Sequence, residues 1–307
     1  VAEVYDILGI RFDSYAGESF YNDKMGRVVD ELKEKHLLKL DQGAHFVVLA
    51  DDKMPPCSSL RADGATLYAT RDIAAALYRK DTYDFAKCLY VVAYQQDLHF
   101  RQWFKVVELM GYDWAKDLIH VSFGMVSGTE GAFSTRKGNM VKLRDVLSAA
   151  CDKTYDIICE KSPDLEDKKT IAQQVGIGAL IWNSLYNGRI KDVVFDWDTV
   201  LNFDGETGPY AQYTHARACS VLRKADYVPA DVDYSKLTDA EAAAVIAALG
   251  AFPDAVVDAM EKNEPYLVSR AVIAVCSAFN KFYYEQRILA DDPAVRTARL
   301  ALTDAAR

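Results

Sequence analysis

Apolar positions recur at two periods along the chain, and the change between them divides it. Over 25–40 the spacing of Val28, Leu32 and Leu37 predicts an amphipathic helix. Gly43 follows. The run His45-Phe46-Val47-Val48-Leu49 then has strand character and closes on the loop chemistry of Asp51-Asp52-Lys53-Met54-Pro55-Pro56. Three short apolar runs, 66–69, 88–93 and 118–121, alternate with two amphipathic segments. Thr70 is a plausible N-cap for the first, which runs to Lys80 with Ile73, Ala76 and Leu77 on one face and Arg79 and Lys80 suited to its C-terminal dipole. The second, 97–110, aligns Phe100, Phe104 and Val107 and stops at Gly111. Strand–helix–strand–helix–strand with fully apolar strands predicts a parallel sheet covered on both faces. Beyond about residue 145 the pattern turns helical: 168–186, an irregular stretch containing Trp197, Phe203 and Gly205-Glu206-Thr207-Gly208-Pro209, then 210–225, 238–249, 252–261 and 264–288. Asn263 before Glu264-Pro265 reads as a helix start. The expected fold class is α/β followed by all-α.

Composition narrows the classes. Half of the 307 residues are hydrophobic and 26% are charged, as in soluble globular proteins, and the length predicts two or more domains. No run is read as approaching the ~18 apolar residues of a membrane span, so no membrane partner is expected. No basic-then-apolar leader opens the chain, whose first residue is Val1, as expected of an excised fragment. Six scattered cysteines with no C-x-x-C pair argue for a reducing, cytoplasmic setting and against zinc or another bound metal. A net charge of −9 argues against non-specific nucleic-acid binding, although local patches on an acidic enzyme can still grip a folded RNA.

Ligands of open parallel sheets bind beyond the carboxyl ends of the strands, and three groups converge there. Tyr68 and Asp72 flank the first strand-to-helix turn, Tyr94-Gln95-Gln96 follows the second strand, and Phe123-Gly124-Met125-Val126 follows the third. Asp72, expected in the first turn of its helix, would sit among free N–H groups. A fixed carboxylate beside an aromatic ring suits a guanidinium, which offers two parallel hydrogen bonds and can stack; an ordinary first-turn Asp is the plain alternative. The stretch 128–138, Gly-Thr-Glu-Gly-Ala-Phe-Ser-Thr-Arg-Lys-Gly, is either a loop that closes over phosphates through backbone N–H groups and Lys137, or a basic surface turn. His99 and His120 face the same choice between ligand contact and satisfied core histidine. Of Phe279, Asn280, Tyr283 and Tyr284, some must be core and the rest are free to stack on unpaired bases.

Taken in order, Leu67-Tyr68-Ala69-Thr70-Arg71-Asp72-Ile73-Ala74, Leu89-Tyr90-Val91-Val92-Ala93-Tyr94-Gln95-Gln96-Asp97-Leu98-His99-Phe100, Gly124-Met125-Val126 and Ser134-Thr135-Arg136-Lys137-Gly138 closely resemble arginyl-tRNA synthetases. So do Phe12-Asp13-Ser14-Tyr15-Ala16-Gly17-Glu18-Ser19 upstream and Gly208-Pro209-Tyr210-Ala211-Gln212-Tyr213-Thr214-His215-Ala216-Arg217 downstream. The resemblance implies a class I synthetase that joins arginine to its tRNA through an arginyl-adenylate, using ATP with Mg²⁺. It implies that Tyr68, Asp72 and Gln96 hold the arginine, that Gln95 and His99 lie near the nucleotide, and that the backbone of Phe123, Gly124, Met125 and Val126 receives adenine. Ser134, Thr135, Arg136, Lys137 and Gly138 resemble the signature loop that stabilises the triphosphate as pyrophosphate leaves.

By the same resemblance, 1–65 is an insertion within the catalytic domain and 66–145 the second half of its Rossmann-like sheet. Residues 146–209 form a helical junction, and 210–307 a helical anticodon-binding domain short of its last turns. Two departures stand out: Ala93 where the family often has Gly, and Ala132-Phe133 where a Lys-Met pair is common in the class, which shifts phosphate duty toward Lys137. The histidines at 36, 45, 99, 120 and 215 leave no H-x-G-H; the resemblance puts that signature before residue 1, so the chain alone is expected to be inactive. The alternatives are a synthetase for another amino acid, although an apolar amino acid would not want a buried carboxylate in its pocket, or a non-catalytic tRNA- or protein-binding module derived from a synthetase.

Overall fold

A computed structural model describes residues 2–41, 44–49, 54–60, 68–128, 131–132 and 142–307. The chain divides into two compact units, 12–125 and 1–11 with 126–307.

In the unit 12–125, helix α2 (Met25–Glu34) follows a short opening helix, α1 (Ala2–Ile7), which belongs to the other unit. The expected helix over 25–40 therefore ends early. His36 turns left-handed at φ 57°, and the alternation Leu38-Lys39-Leu40 continues instead as strand β1 (Leu38–Asp41). β1 pairs antiparallel with β2 (Ala44–Val47), and β2 with β3 (Cys57–Leu60).

Residues 68 and 69, expected in a strand, are already helical in α3 (Tyr68–Tyr83); 66 and 67 lie outside the described residues. Thr70 is accordingly not an N-cap. It is buried within the helix, and its hydroxyl donates to the Ser59 carbonyl at 2.6 Å. Strand β4 (Cys88–Ala93), helix α4 (Asp97–Leu109) and strand β5 (Leu118–Phe123) form one βαβ unit, with β4 and β5 paired in parallel from Cys88↔Leu118 to Ala93↔Phe123. Gly111, at φ 90°, supplies the left-handed turn after α4.

Coverage of this sheet differs from the expectation. Cys88, Tyr90 and Val92 pack on a core built from Ile73, Leu77, Trp103 and Val107. On the opposite face Leu89 is 47% and Val91 66% exposed, so among the described residues β4 is covered on one side only.

The second unit carries a small mixed sheet, in which β6 (Val126–Gly128) pairs antiparallel with β7 (Gly131–Ala132) and parallel with β8 (Val193–Phe195). Helices α5 (Leu143–Lys161) and α6 (Lys168–Tyr186) cross closely, burying Leu147 and Ala150 against Ile177 and Leu180, with Val200 and Leu201 from the region of the short helix α7 (Trp197–Val200). The chain then enters a bundle of α8 (Gly208–Lys224), α9 (Ala240–Lys262), α10 (Tyr266–Glu285) and α11 (Pro293–Ala306) around Leu222, Val245, Phe279, Phe282 and Leu300.

Helix α9 corrects three expectations. The segments 238–249 and 252–261 are one helix with Pro253 inside it, because packing of Ala242, Val245 and Ala259 overrides the local preference. Asn263 ends α9 in the left-handed conformation, φ 52°, rather than starting α10. The helix is also long and apolar enough to cross a membrane by length and composition, with a mean hydropathy of 1.6. Ala242 and Val245 pack into the bundle core, while most of the apolar stretch, including Ile246, Val257 and Met260, is exposed.

Candidate functional site

The turn of α3 that carries Tyr68 and Asp72 is fixed from below. Ala69, Thr70 and Ile73 are buried, and the Thr70–Ser59 bond ties the helix to β3. Four residues apart, Tyr68 and Asp72 share a helix face. Tyr68 is 71% exposed, with the Arg71 guanidinium 5.9 Å from its ring centre. Arg71 in turn pairs with Glu18 at 2.6 Å, which joins the 12–19 motif to this helix, a link the sequence motifs do not express. Asp72 lies in the second turn rather than the first, beyond the free N–H groups expected to support it. Below it, burial and secondarily the charge of Asp72 push the Cys57 thiol up to about 12.

The β4–α4 turn supplies the second group. Gln95 and Gln96 stand exposed in a 3₁₀ turn, Tyr94–Gln96, at the carboxyl end of β4. One turn on, His99 Nε2 meets Asp72 Oδ2 at 2.6 Å. The carboxylate has no proton to give, so the imidazole N–H is the donor. This contact pairs two expected site residues 27 positions apart in the chain. His120 resolves toward the core reading: its ring stacks on Phe100 at 4.2 Å, Nε2 faces the Val92 carbonyl at 3.0 Å, and Nδ1 faces Asp97 at 3.1 Å.

At the end of β5, Phe123 and Met125 are 39% and 42% exposed on either side of Gly124. Val126, 54% exposed, opens β6 and belongs to the other unit. Ser134, Thr135, Arg136, Lys137 and Gly138 lie outside the described residues.

In the bundle, Phe279 and Asn280 are core: Phe279 is fully buried, and Asn280 donates to Thr214 Oγ1 at 2.8 Å while accepting from Arg217. Tyr284 is 71% exposed. The Arg217 guanidinium lies 4.7, 4.7 and 4.8 Å from the ring centres of Tyr213, Tyr283 and Tyr284 and donates to the Tyr284 hydroxyl at 2.8 Å. That cluster presents aromatic faces and a cation together, the combination that stacks on unpaired bases.

Comparison with known proteins adds a family. The profile described as "tRNA synthetases class I (R), catalytic domain" matches residues 1–197, and that described as "DALR anticodon binding domain" matches 211–307. The arginine–tRNA ligase of Clostridioides difficile is 56% identical over 300 residues, which are 97% of this chain and 53% of that protein. The arginine–tRNA ligase of Alkaliphilus metalliredigens is 52% identical over 306 residues, covering 99% of this chain and 54% of that protein. The chain thus spans about half the length of the curated relatives it matches. The Thermus thermophilus arginyl-tRNA synthetase structure superposes with a TM-score of 0.89 at 22% identity, covering 99% of this chain and 59% of that one, and shares the fold.

Proposed function

The chain belongs to the class I arginyl-tRNA synthetase family, and from that premise we propose that the protein carrying it is an arginine–tRNA ligase. Its substrates are arginine, ATP delivered as the Mg²⁺ complex, and an arginine-accepting tRNA. The observation that carries the reading is the carboxylate of Asp72. One oxygen is engaged by His99, the other has no hydrogen-bond partner among the described residues, and the exposed ring of Tyr68 stands on the same helix face. A guanidinium fits such a place, donating to the carboxylate and stacking on the ring. Gln96 orients the amino acid, and Gln95 with the backbone of Phe123, Gly124 and Met125 serves the nucleotide.

Chemically, this half of the machinery binds and orients. Arginine's carboxylate must reach the α-phosphate of ATP, and fixing the side chain at Asp72 converts an encounter into an aligned attack. Lys137 in the signature loop then takes charge as pyrophosphate leaves, and the residue range 210–307 reads the anticodon loop. Residues 1–65, 66–145 and 146–209 serve as insertion, second half-sheet and helical junction.

The test is Asp72→Asn in the full gene product, assayed by arginine-dependent ATP–pyrophosphate exchange with tRNA present. Charge-assisted bonds contribute about 1.5–3 kcal/mol, so the KM for arginine should rise about tenfold or more while that for ATP stays within about twofold. Equal damage to both would remove the pocket from Asp72.

The alternative reading is a non-catalytic tRNA-binding module derived from a synthetase, which the same assay separates from the enzyme. Exchange measured on this polypeptide alone should be absent if the remaining phosphate-stabilising groups act as a unit. A full gene product equally inert, yet still binding tRNA, would favour the module.

A further inference from the structure

We infer that His99 is a positioning residue for the arginine pocket, fixing the Asp72 carboxylate through its Nε2–H so that the remaining oxygen edge meets the guanidinium. The inference rests on the reading of Asp72 given above. It assigns His99 to the amino-acid side of the site, whereas the motif alone suggests the nucleotide side.

The geometry carries it. A bidentate guanidinium contact requires the carboxylate plane to be held, because both N–H···O bonds fail together if the group turns. The free N–H groups of α3 do not reach Asp72, which lies in the second turn of that helix. The side chain that does reach it is His99, at 2.6 Å on Oδ2. Each carboxylate oxygen accepts more than one hydrogen bond, so the bond from His99 leaves Oδ1 and a lone pair of Oδ2 for a ligand.

His99 is itself supported. Its ring stands edge-to-face on Phe100 at 5.7 Å and 76°, and Phe100 is stacked on His120. His120 is clamped between the Val92 carbonyl and Asp97. A continuous ladder therefore runs from the end of β4 to the Asp72 carboxylate. Neither partner is sealed away, with side-chain exposures of 27% for His99 and 40% for Asp72, so a ligand can reach the pair. A bond that served only to staple α3 to α4 would not need to leave the second oxygen edge open.

The experiment measures arginine-dependent ATP–pyrophosphate exchange by the full gene product, with tRNA present, for His99→Ala, His99→Gln, Asp72→Asn and the double variant His99→Ala/Asp72→Asn. His99→Ala should raise the KM for arginine about tenfold while kcat and the KM for ATP stay within about threefold. His99→Gln, whose amide nitrogen reaches the same place as Nε2, should recover most of that loss. The double variant should be no worse than Asp72→Asn, because the two residues act through one carboxylate.

The outcomes separate cleanly. If Asp72→Asn leaves arginine use intact, the pocket reading falls and the inference with it. If Asp72→Asn damages arginine use but His99→Ala does not, the pocket stands and the positioning role is overturned. A rise in the KM for ATP matching that for arginine would return His99 to the nucleotide side. Loss in both histidine variants accompanied by an equal fall in folded protein would reduce the contact to a staple.

Discussion

Two glycines in helix interiors offer opposite answers to the same substitution. Gly176 lies midway along α6, and a Cβ built there would come 2.7 Å from the Ala150 carbonyl oxygen, 2.9 Å from its carbon and 3.1 Å from the Cys151 nitrogen. All three are backbone atoms of α5, so no side chain can rotate away. Gly250 lies midway along α9, and its Cβ would meet nothing within 4 Å. Glycine in a helix costs about 1 kcal/mol relative to alanine, so Gly250→Ala should stabilise by roughly that amount. Gly176→Ala gains the same propensity but must push α5 back by about half an ångström. A gap of that size forfeits a quarter or more of each dispersion contact, and Leu147, Ala150, Ile177 and Leu180 all pack across this crossing. Overpacking of this kind costs about 1–3 kcal/mol; with an immovable neighbour the upper end applies, giving a net loss of about 2 kcal/mol.

At about 2–4 °C per kcal/mol for a body of this size, Gly176→Ala should lower Tm by about 6 °C and Gly250→Ala should raise it by about 3 °C. Thermal unfolding followed by circular dichroism at fixed protein concentration reads both. A rise in Tm for both variants would refute the argument, since it would mean that helix propensity alone, and not the α5–α6 approach, governs these sites.

The remaining predictions concern the bundle. Asp239 accepts from the Ala242 amide at 2.8 Å as the N-cap of α9 and from Arg299 Nη2 at 3.3 Å. Asp239→Ala should therefore cost about 2–3 kcal/mol in urea unfolding and Asp239→Asn, which keeps the cap, about 1 kcal/mol; equal losses would mean that the cap carries nothing. Tyr284→Ala should weaken binding of arginine-accepting tRNA about tenfold by fluorescence anisotropy with Tm unchanged, because an exposed ring stacks without holding the core. Unchanged binding would leave the ring as a lid over Arg217.

What the sequence disclosed depended on how local the cause was. The βαβ unit and α6 were legible because each is set by a period within one segment: α6 spans Lys168–Tyr186 as its spacing predicts, and β4 spans Cys88–Ala93. Errors fell where a distant surface decides. Ala69 and Thr70 have strand-like neighbours, yet β3 receives the Thr70 hydroxyl and the segment is helical. Pro253 signals a break, and Asn263-Glu264-Pro265 signals a start. Packing of α9 onto the bundle moved both signals, leaving Asn263 as the end of one helix. The same limit applies to the site. Motif order singled out Asp72 and His99 as candidates, but that one donates to the other depends on how α3 and α4 lie together, and nothing in either motif encodes that.

Ala93 shows how the structure interprets a departure that the motif could only flag. It stands where the family often has Gly, at the end of β4, one residue before the turn that carries Gln95 and Gln96. Its backbone lies at φ −58°, ψ 147°, an ordinary conformation for any L-residue. This chain therefore needs no left-handed residue at the position, and the Cβ is tolerated without backbone strain. What a Cβ changes there is space at the carboxyl edge of the sheet. Ala93 pairs with Phe123 at the carboxyl ends of the two strands, so the extra carbon is carried beside the start of the Phe123–Met125 turn. On the nucleotide role proposed for that turn, any effect of Ala93→Gly should appear in the KM for ATP before it appears in Tm. That ordering is the reverse of what a conformational glycine would give.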